Sequence, residues 1–147
     1  MEAASAAVLA LALAASPGSI CRPAETDVAT RPLPPQLAPA VIAAFGVRMT
    51  PAYVVDTGVI RCADGHLLAC VVGANLNCSK ADTRTTNPGA SDWCRDHANS
   101  DFVPAFATGH DTIYAWRCDG QRAVIGRQVE RVDRQGFVAE NWRRVGG

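Results

Sequence analysis

Residues 61–78 read RCADGHLLACVVGANLNC and hold three of the chain's six cysteines, one Asp-Gly pair and two short apolar runs. Cysteines at this density limit the fold more than any other feature. In a short chain they mean disulfides in an oxidising compartment or a metal site in a reducing one.

The first residues decide between the two. Residues 3–15 form a thirteen-residue apolar run, followed by Ser16, Pro17, Gly18 and Ser19. This matches the hydrophobic region and small-residue cleavage zone of a secretory signal peptide over residues 1–18, and it is too short to span a bilayer as a helix. The run departs from the pattern at its front, where no Lys or Arg precedes it and Glu2 is acidic. Cys21 follows Ile20 where a lipoprotein cleavage site wants a small residue, so lipid anchoring is the lesser reading. A periplasmic or secreted protein is expected, with oxidised cysteines and no transmembrane segment in the mature chain.

A chain of 147 residues supports one domain with a modest core, burying roughly two thirds of its unfolded surface. Formal charge is zero and Lys80 is the only lysine, so no polybasic tract points to nucleic acid or an anionic membrane. From residue 117 onward seven arginines stand against Asp119, Glu130, Asp133 and Glu140, whereas residues 75–111 carry five aspartates against Lys80, Arg84 and Arg95. That mild dipole reads as a solvated surface, with orientation of a charged partner as the alternative.

Pro23, Pro32, Pro34 and Pro35 give residues 19–35 the composition of a mobile linker, leaving 36–147 as the folded domain. Leu37, Val41 and Phe45 then recur every four residues, with Gly46 at the place of a left-handed cap. The spacing predicts a helix over 36–45. Its stripe reads as core rather than as a membrane or partner surface, because the opposite face is alanine rather than charge.

Residues 53–62 and 66–72 predict two strands joined at Asp64-Gly65. Cys62 then faces Leu67, Ile60 faces Ala69 and Val59 faces Cys70. Alternation puts Gly58, Ile60, Cys62, Leu67, Ala69 and Val71 on one apolar face, and Cys70 with Arg61 and His66 on the other. Cys62 and Cys70 therefore cannot bond to each other.

A second hairpin is predicted from 112–118 and 121–129 around Asp119-Gly120, with Tyr114, Trp116, Cys118, Ala123 and Ile125 on its core face and Arg117 with Arg122 opposite. Between the hairpins Asn87-Pro88 opens a helix reaching His97, with Ala90, Trp93, Cys94 and His97 on one face. Residues 102–106, with Pro104 inside, read as an edge segment. Residues 133–136 read as a turn, and Phe137 and Trp142 anchor the closing segment, residues 137–145. The class is α+β: a small antiparallel sheet from two hairpins with two short helices, stapled by disulfides.

Six cysteines permit fifteen pairings. Cys62 and Cys118 both precede an Asp-Gly turn on an apolar face, so a bridge between them would staple the hairpins through a shared core. Cys78 and Cys94 bracket a polar loop of the size for which chain-entropy arguments give about 3 kcal/mol. Cys21 is left for Cys70.

Candidate sites are few. Cys78 or Cys70 with His110 and Asp111 can be drawn as a thiol hydrolase, though a disulfide is the ordinary fate of such cysteines in an exported chain. Cys94 and His97 form a Cys-x-x-His fragment with no second half for zinc, and the sequence asks for no metal or cofactor. Gly109-His110-Asp111 precedes a strand and Gly73-Ala74-Asn75 follows one, at strand ends where binding residues are often carried. The ligand site expected from sequence is therefore a patch of Asn75, His110, Asp111 and Arg117, with loop hydrogen bonding and an Asx turn as the plain alternative.

From residue 61 to 142 the run RCADGHLLAC, VGANLNC, KAD, the WC helix, TGHDTIYAWRC and GFVAENW resembles a set of small exported bacterial proteins of uncharacterised function. The resemblance implies a periplasmic or secreted protein and no activity. A fainter likeness is to periplasmic inhibitors of c-type lysozyme, in which a strand ending in Cys meets an acidic-Gly turn, as at Arg61-Cys62-Ala63-Asp64-Gly65; it carries over no inhibitory residues. The expected function is a non-enzymatic exported binding module for a protein or cell-envelope ligand, held through loops at the hairpin ends. The alternatives are a small hydrolase or thiol-dependent enzyme and a structural envelope protein.

Overall fold

The computed structural model describes residues 16–73 and 76–146. Most of the expected leader, residues 1–15, and Asn75 of the expected site lie outside the described residues. Two antiparallel sheets form: β1 (Arg31–Pro32), β2 (Gly58–Ala63), β3 (His66–Val71) and β6 (Arg143–Arg144) in the order β1-β2-β3-β6, and the separate hairpin β4 (Tyr114–Asp119) and β5 (Arg122–Gln128).

The β2–β3 register is the one its turn predicts, with Cys62 opposite Leu67, Ile60 opposite Ala69 and Val59 opposite Cys70. Asp64 at φ 50° and Gly65 at φ 78° supply the two left-handed residues of a type I′ turn. Position 65 is constrained again from outside, because a Cβ there would lie 2.9 Å from the Ala24 backbone nitrogen.

That contact reveals the first departure from expectation. Residues 22–35 do not run free as a linker but wrap the hairpin: Asp27 N donates to Cys62 O at 2.8 Å, Gly65 N to Glu25 O at 2.9 Å and Leu33 N to Gly58 O at 3.2 Å. Asp27 Oδ2 accepts from both Cys62 N and Arg31 Nη2. The prolines are tolerated because β1 is a two-residue edge strand.

Helix α1 (Ala38–Phe45) follows a 3-10 turn, Pro35–Leu37, and ends where expected, on Gly46 at φ 66°. Helix α2 (Pro51–Thr57) occupies the start of what reads as a strand. Thr50 caps it, its side chain accepting from Tyr53 N at 3.2 Å, with Pro51 in the first turn, and the strand begins only at Gly58. A Thr-Pro start outweighs the β-branched run Tyr53-Val54-Val55. Leu37 and Val41 of the first helical stretch and Val54 of α2 pack with Ile60, Leu67 and Ala69 on the predicted apolar sheet face.

The opposite face is covered too. Phe137 and Trp142 of the closing segment pack there with Val59, Leu68 and the buried cysteines Cys70 and Cys78. β6 pairs with β3, and Val145 N donates to Leu67 O at 2.9 Å. The β2–β3 hairpin is thus the middle of three layers.

Around the second hairpin, α3 (Pro88–Asp96) is capped by Asn87, whose Oδ1 accepts from Ala90 N at 2.9 Å. Ala90 and Cys94 on its inner face meet Trp116 and Cys118 in a separate core. Residues 100–103 lie along β4, Val103 N donating to Trp116 O and Cys118 N to Ser100 O, both at 2.8 Å. The expected edge segment ends there, because α4 (Ala105–Thr108) follows at once. The class is α+β as expected, with four α-helices among the described residues rather than two.

The second hairpin turns at Gly120-Gln121, one residue later than expected, with Asp119 opposite Arg122 and Cys118 opposite Ala123. Gly120 at φ 58° is the first central residue, the position where a type II′ turn needs glycine. Moving the turn by one residue shifts the register by two, so from the turn to Trp116 and Ile125 the side chains keep their predicted faces. Ala115 pairs with Arg127 and Trp116 with Ile125, which leaves Gly126 as a bulge.

The cysteines pair consecutively: Cys21–Cys62, Cys70–Cys78 and Cys94–Cys118, with Cα separations of 5.7, 5.8 and 5.5 Å. The three expected pairs, Cys62–Cys118, Cys78–Cys94 and Cys21–Cys70, are all corrected. The first assumed that the two hairpins share a core, the second that a polar loop is closed on itself, and the third was the remainder. Cys62 lies in the helix-covered core of the first hairpin, Cys78 in the layer under Phe137, and Cys118 and Cys94 in the core of the second. Cys21 and Cys70 sit on opposite faces of one sheet.

Candidate functional site

Arg61 lies in the middle of β2 on the face away from α1 and α2, and its side chain is 1% exposed. A cation buried that deeply needs partners. Its guanidinium carbon lies 4.3 Å from the centroid of Phe137 and 4.4 Å from that of Trp142, two rings that meet edge to face at 5.3 Å. Nη2 donates to Asp133 Oδ2 in an ion pair, and Nη1 reaches Gln135 Oε1 at 3.5 Å.

Asp133 is held ready for that pair by its own turn. Its Oδ1 accepts from Gln135 N at 2.9 Å and Phe137 N at 3.0 Å, and Gly136 closes the turn at φ 87°. One carboxylate therefore shapes the turn and neutralises Arg61. Lys80 Nζ also lies over the Phe137 ring, 4.3 Å from its centroid.

Between this turn, β3 and β6 opens a cavity of about 560 Å³ lined by Arg61, Leu68, Asp133, Gln135, Trp142 and Arg144, with Asp64 and Arg134 at its rim. Four buried side-chain nitrogens among the described residues have no hydrogen-bond partner: Arg31 Nε, Trp93 Nε1, Arg61 Nε and Trp142 Nε1. The last two belong to residues that line this one cavity. Neither nitrogen has surface open to water, so both are covered by neighbouring groups rather than offered to the cavity.

The residues expected from sequence lie elsewhere and do not all come together. His110 and Asp111 line a smaller cavity of about 300 Å³ with Val72, Gly73, Leu76 and Asn77. Asp111 serves structure there, its carbonyl accepting from Asp82 N at 2.6 Å. Arg117 is exposed on β4 opposite Val124, away from that cavity. His97 stacks on Trp93, ring centroids 3.7 Å apart, and its Nδ1 lies 3.0 Å from Trp93 O.

All six cysteines are in disulfides, so Cys78, Cys70 and Cys94 hold no thiolate for nucleophilic attack or zinc. One group of possible metal ligands, Glu25, Asp27 and Cys62, includes a disulfide sulfur and a carboxylate already bound to Arg31. No family model, curated protein or solved structure matches the chain.

Sequence reasoning missed the Arg61 site, although a signal was present. Val59, Leu68 and Cys70 give the second sheet face an apolar surround, which a solvent-facing arginine would not have.

Proposed function

We propose that the chain is a non-enzymatic, exported binding module that takes a protein or cell-envelope ligand in the cavity between β3, β6 and the 133–136 turn. The observation that carries the reading is the cavity of about 560 Å³ itself, walled by Trp142 and the buried Arg61–Asp133 pair, with the exposed Arg144 beside them. The cavity reaches the end of the first hairpin at Ala63 and Asp64, the kind of position where binding groups sit on a rigid scaffold. Export is supported by three disulfides and by the apolar run at residues 3–15. Among the described residues no helix is long and apolar enough to cross a membrane.

The thiol-enzyme alternative loses its support with the last free cysteine. A purely structural role is separated by titrating the ¹⁵N-labelled protein with soluble peptide and glycan fragments of a bacterial cell wall. Shifts of the Trp142 indole and Arg61 Nε–H signals, with the rest of the spectrum unmoved, are expected. Fragments that move only signals near His110 and Asp111, or none, would overturn the assignment of this cavity.

A further inference from the structure

Three of the four long strands have hydrogen-bonded backbone on both sides. β2 has β3 and the backbone of residues 27–33, β3 has β2 and β6, and β4 has β5 and residues 100–103. β5 has β4 on one side and, among the described residues, no backbone partner on the other. Which of its groups are open follows from β4. Trp116 O accepts from Val103 N and Cys118 N donates to Ser100 O, so these two residues turn their backbone away from β5. Their opposite residues, Ile125 and Ala123, then turn theirs away from β4. Two N–H and two C=O groups thus stand along an open edge, while the side chains of Ala123 and Ile125 pack into the core under α3. Such a row is a template for one more strand.

We infer that this edge takes an extended acidic segment of a partner protein as a third strand of the second sheet. The charges of the hairpin's outer face select the sequence. Arg117, Arg122 and Arg127 are exposed, and their pairing with Val124, Asp119 and Ala115 puts all three on that face. Arg122 has a carboxylate beside it, Asp119 at 3.4 Å, whereas Arg117 and Arg127 are in no ion pair among the described residues. β5 reads RAVIGRQ and holds no acidic residue. A second copy laid antiparallel on it would gather the arginines of both strands, so self-pairing is opposed, and the same charges favour a strand that carries carboxylates. The bulge sets the spacing. Gly126 is the extra residue, so Arg122 and Arg127 lie four ladder positions apart with Val124 midway. The incoming strand therefore needs acidic residues four apart on one face and an apolar residue between them.

The test uses the full disulfide-bonded chain, ¹⁵N-labelled, with three capped heptapeptides: Ac-TETVTET-NH2, its glutamine form Ac-TQTVTQT-NH2, and the glutamate form N-methylated at its third and fifth residues, the two that face the Ala123 and Ile125 edge. The glutamate peptide should shift the Ala123 and Ile125 amide signals and slow their exchange with solvent, and its binding should weaken as salt is raised. The glutamine peptide should bind roughly threefold to tenfold more weakly, and the N-methylated one should leave exchange unchanged. R127Q, at an exposed residue, should narrow the gap between the glutamate and glutamine peptides without moving the urea midpoint. R48Q, exposed after α1, should leave that gap as it is and controls for general charge. Equal binding of the glutamate and glutamine peptides would overturn the acidic assignment. Undiminished binding of the N-methylated peptide would overturn strand pairing, and signals that no peptide moves would overturn both. Protection of the Ile125 amide that rises with the concentration of the chain alone would make a second copy the occupant and overturn the partner assignment.

Discussion

Arg61, buried in β2, donates to the carboxylate of Asp133 across 72 residues of sequence, and this pair ties the closing segment to the first hairpin. The two partners are not equivalent. Arg61 is 1% exposed, whereas the Asp133 side chain is 20% exposed. Replacing Asp133 by Ala strands a buried cation and also removes the acceptor for Gln135 N and Phe137 N. That should cost about 3 kcal/mol or more. Replacing Arg61 by Met keeps an unbranched side chain between the rings and leaves the aspartate some access to water, so it should cost less than half as much. Urea unfolding of both variants measures the asymmetry, and equal losses would show that the pair contributes through packing alone.

Gly89 sits in the first turn of α3, where a helix ordinarily gains up to about 1 kcal/mol from a Gly-to-Ala change. Here a Cβ would lie 1.8 Å from the carbonyl oxygen of Ala107 in α4. The obstacle is backbone, which cannot swing aside. G89A should therefore destabilise by about 1–3 kcal/mol, reversing the usual sign. A thermal midpoint at or above that of the parent would mean that α4 moves freely against α3.

Local chemistry made much of this fold legible. Asp64-Gly65 set one register, Asn87-Pro88 set a helix start, and alternation assigned both hairpin faces. What escaped was the relation between units. Two separate sheets and one shared sheet present the same apolar faces, so the sequence could not show that Cys62 and Cys118 lie in different cores. The short β1 strand escaped because its partners are backbone groups of β2 rather than a side-chain pattern. The Arg61 site needed Phe137, Trp142 and Asp133, more than 70 residues away, and no local period links them to β2.

Consecutive disulfides predict how the two cores respond to reduction. Cys94–Cys118 closes a separation of 24 residues and Cys21–Cys62 one of 41, for which chain entropy gives about 3.4 and 3.9 kcal/mol. The Cys94→Ala, Cys118→Ala double variant should loosen α3 against β4 and raise amide exchange in the second core first. The Cys21→Ala, Cys62→Ala double variant should instead release residues 22–35 from β2. Peptide mapping under non-reducing conditions checks the connectivity itself. A linked Cys62–Cys118 peptide would mean that the hairpins are joined through one core.

Acid should weaken the contact between the two hairpin units before it reaches their cores. Asp82 accepts from Arg84 Nε at 2.9 Å, Nη2 at 2.7 Å and the backbone N at 3.0 Å. The Arg84 side-chain hydrogen bonds hold its carboxyl below the ordinary aspartate value, partly opposed by desolvation. Glu140 is lowered in the same way by the hydrogen bond from Arg131. A carboxylate with a depressed folded pKa contributes stability above its unfolded pKa and loses it as pH falls through the folded one. Stability should hence stay level near neutrality and decline below the ordinary carboxylate range. Asp82 also bridges the units through its backbone, donating to Asp111 O and accepting from Ile113 N. In D82N, part of the acid-side decline should vanish, and the protection of the Ile113 amide should become less dependent on pH. An unchanged profile would show that exposure of Arg84 to water has already removed the benefit of the pair.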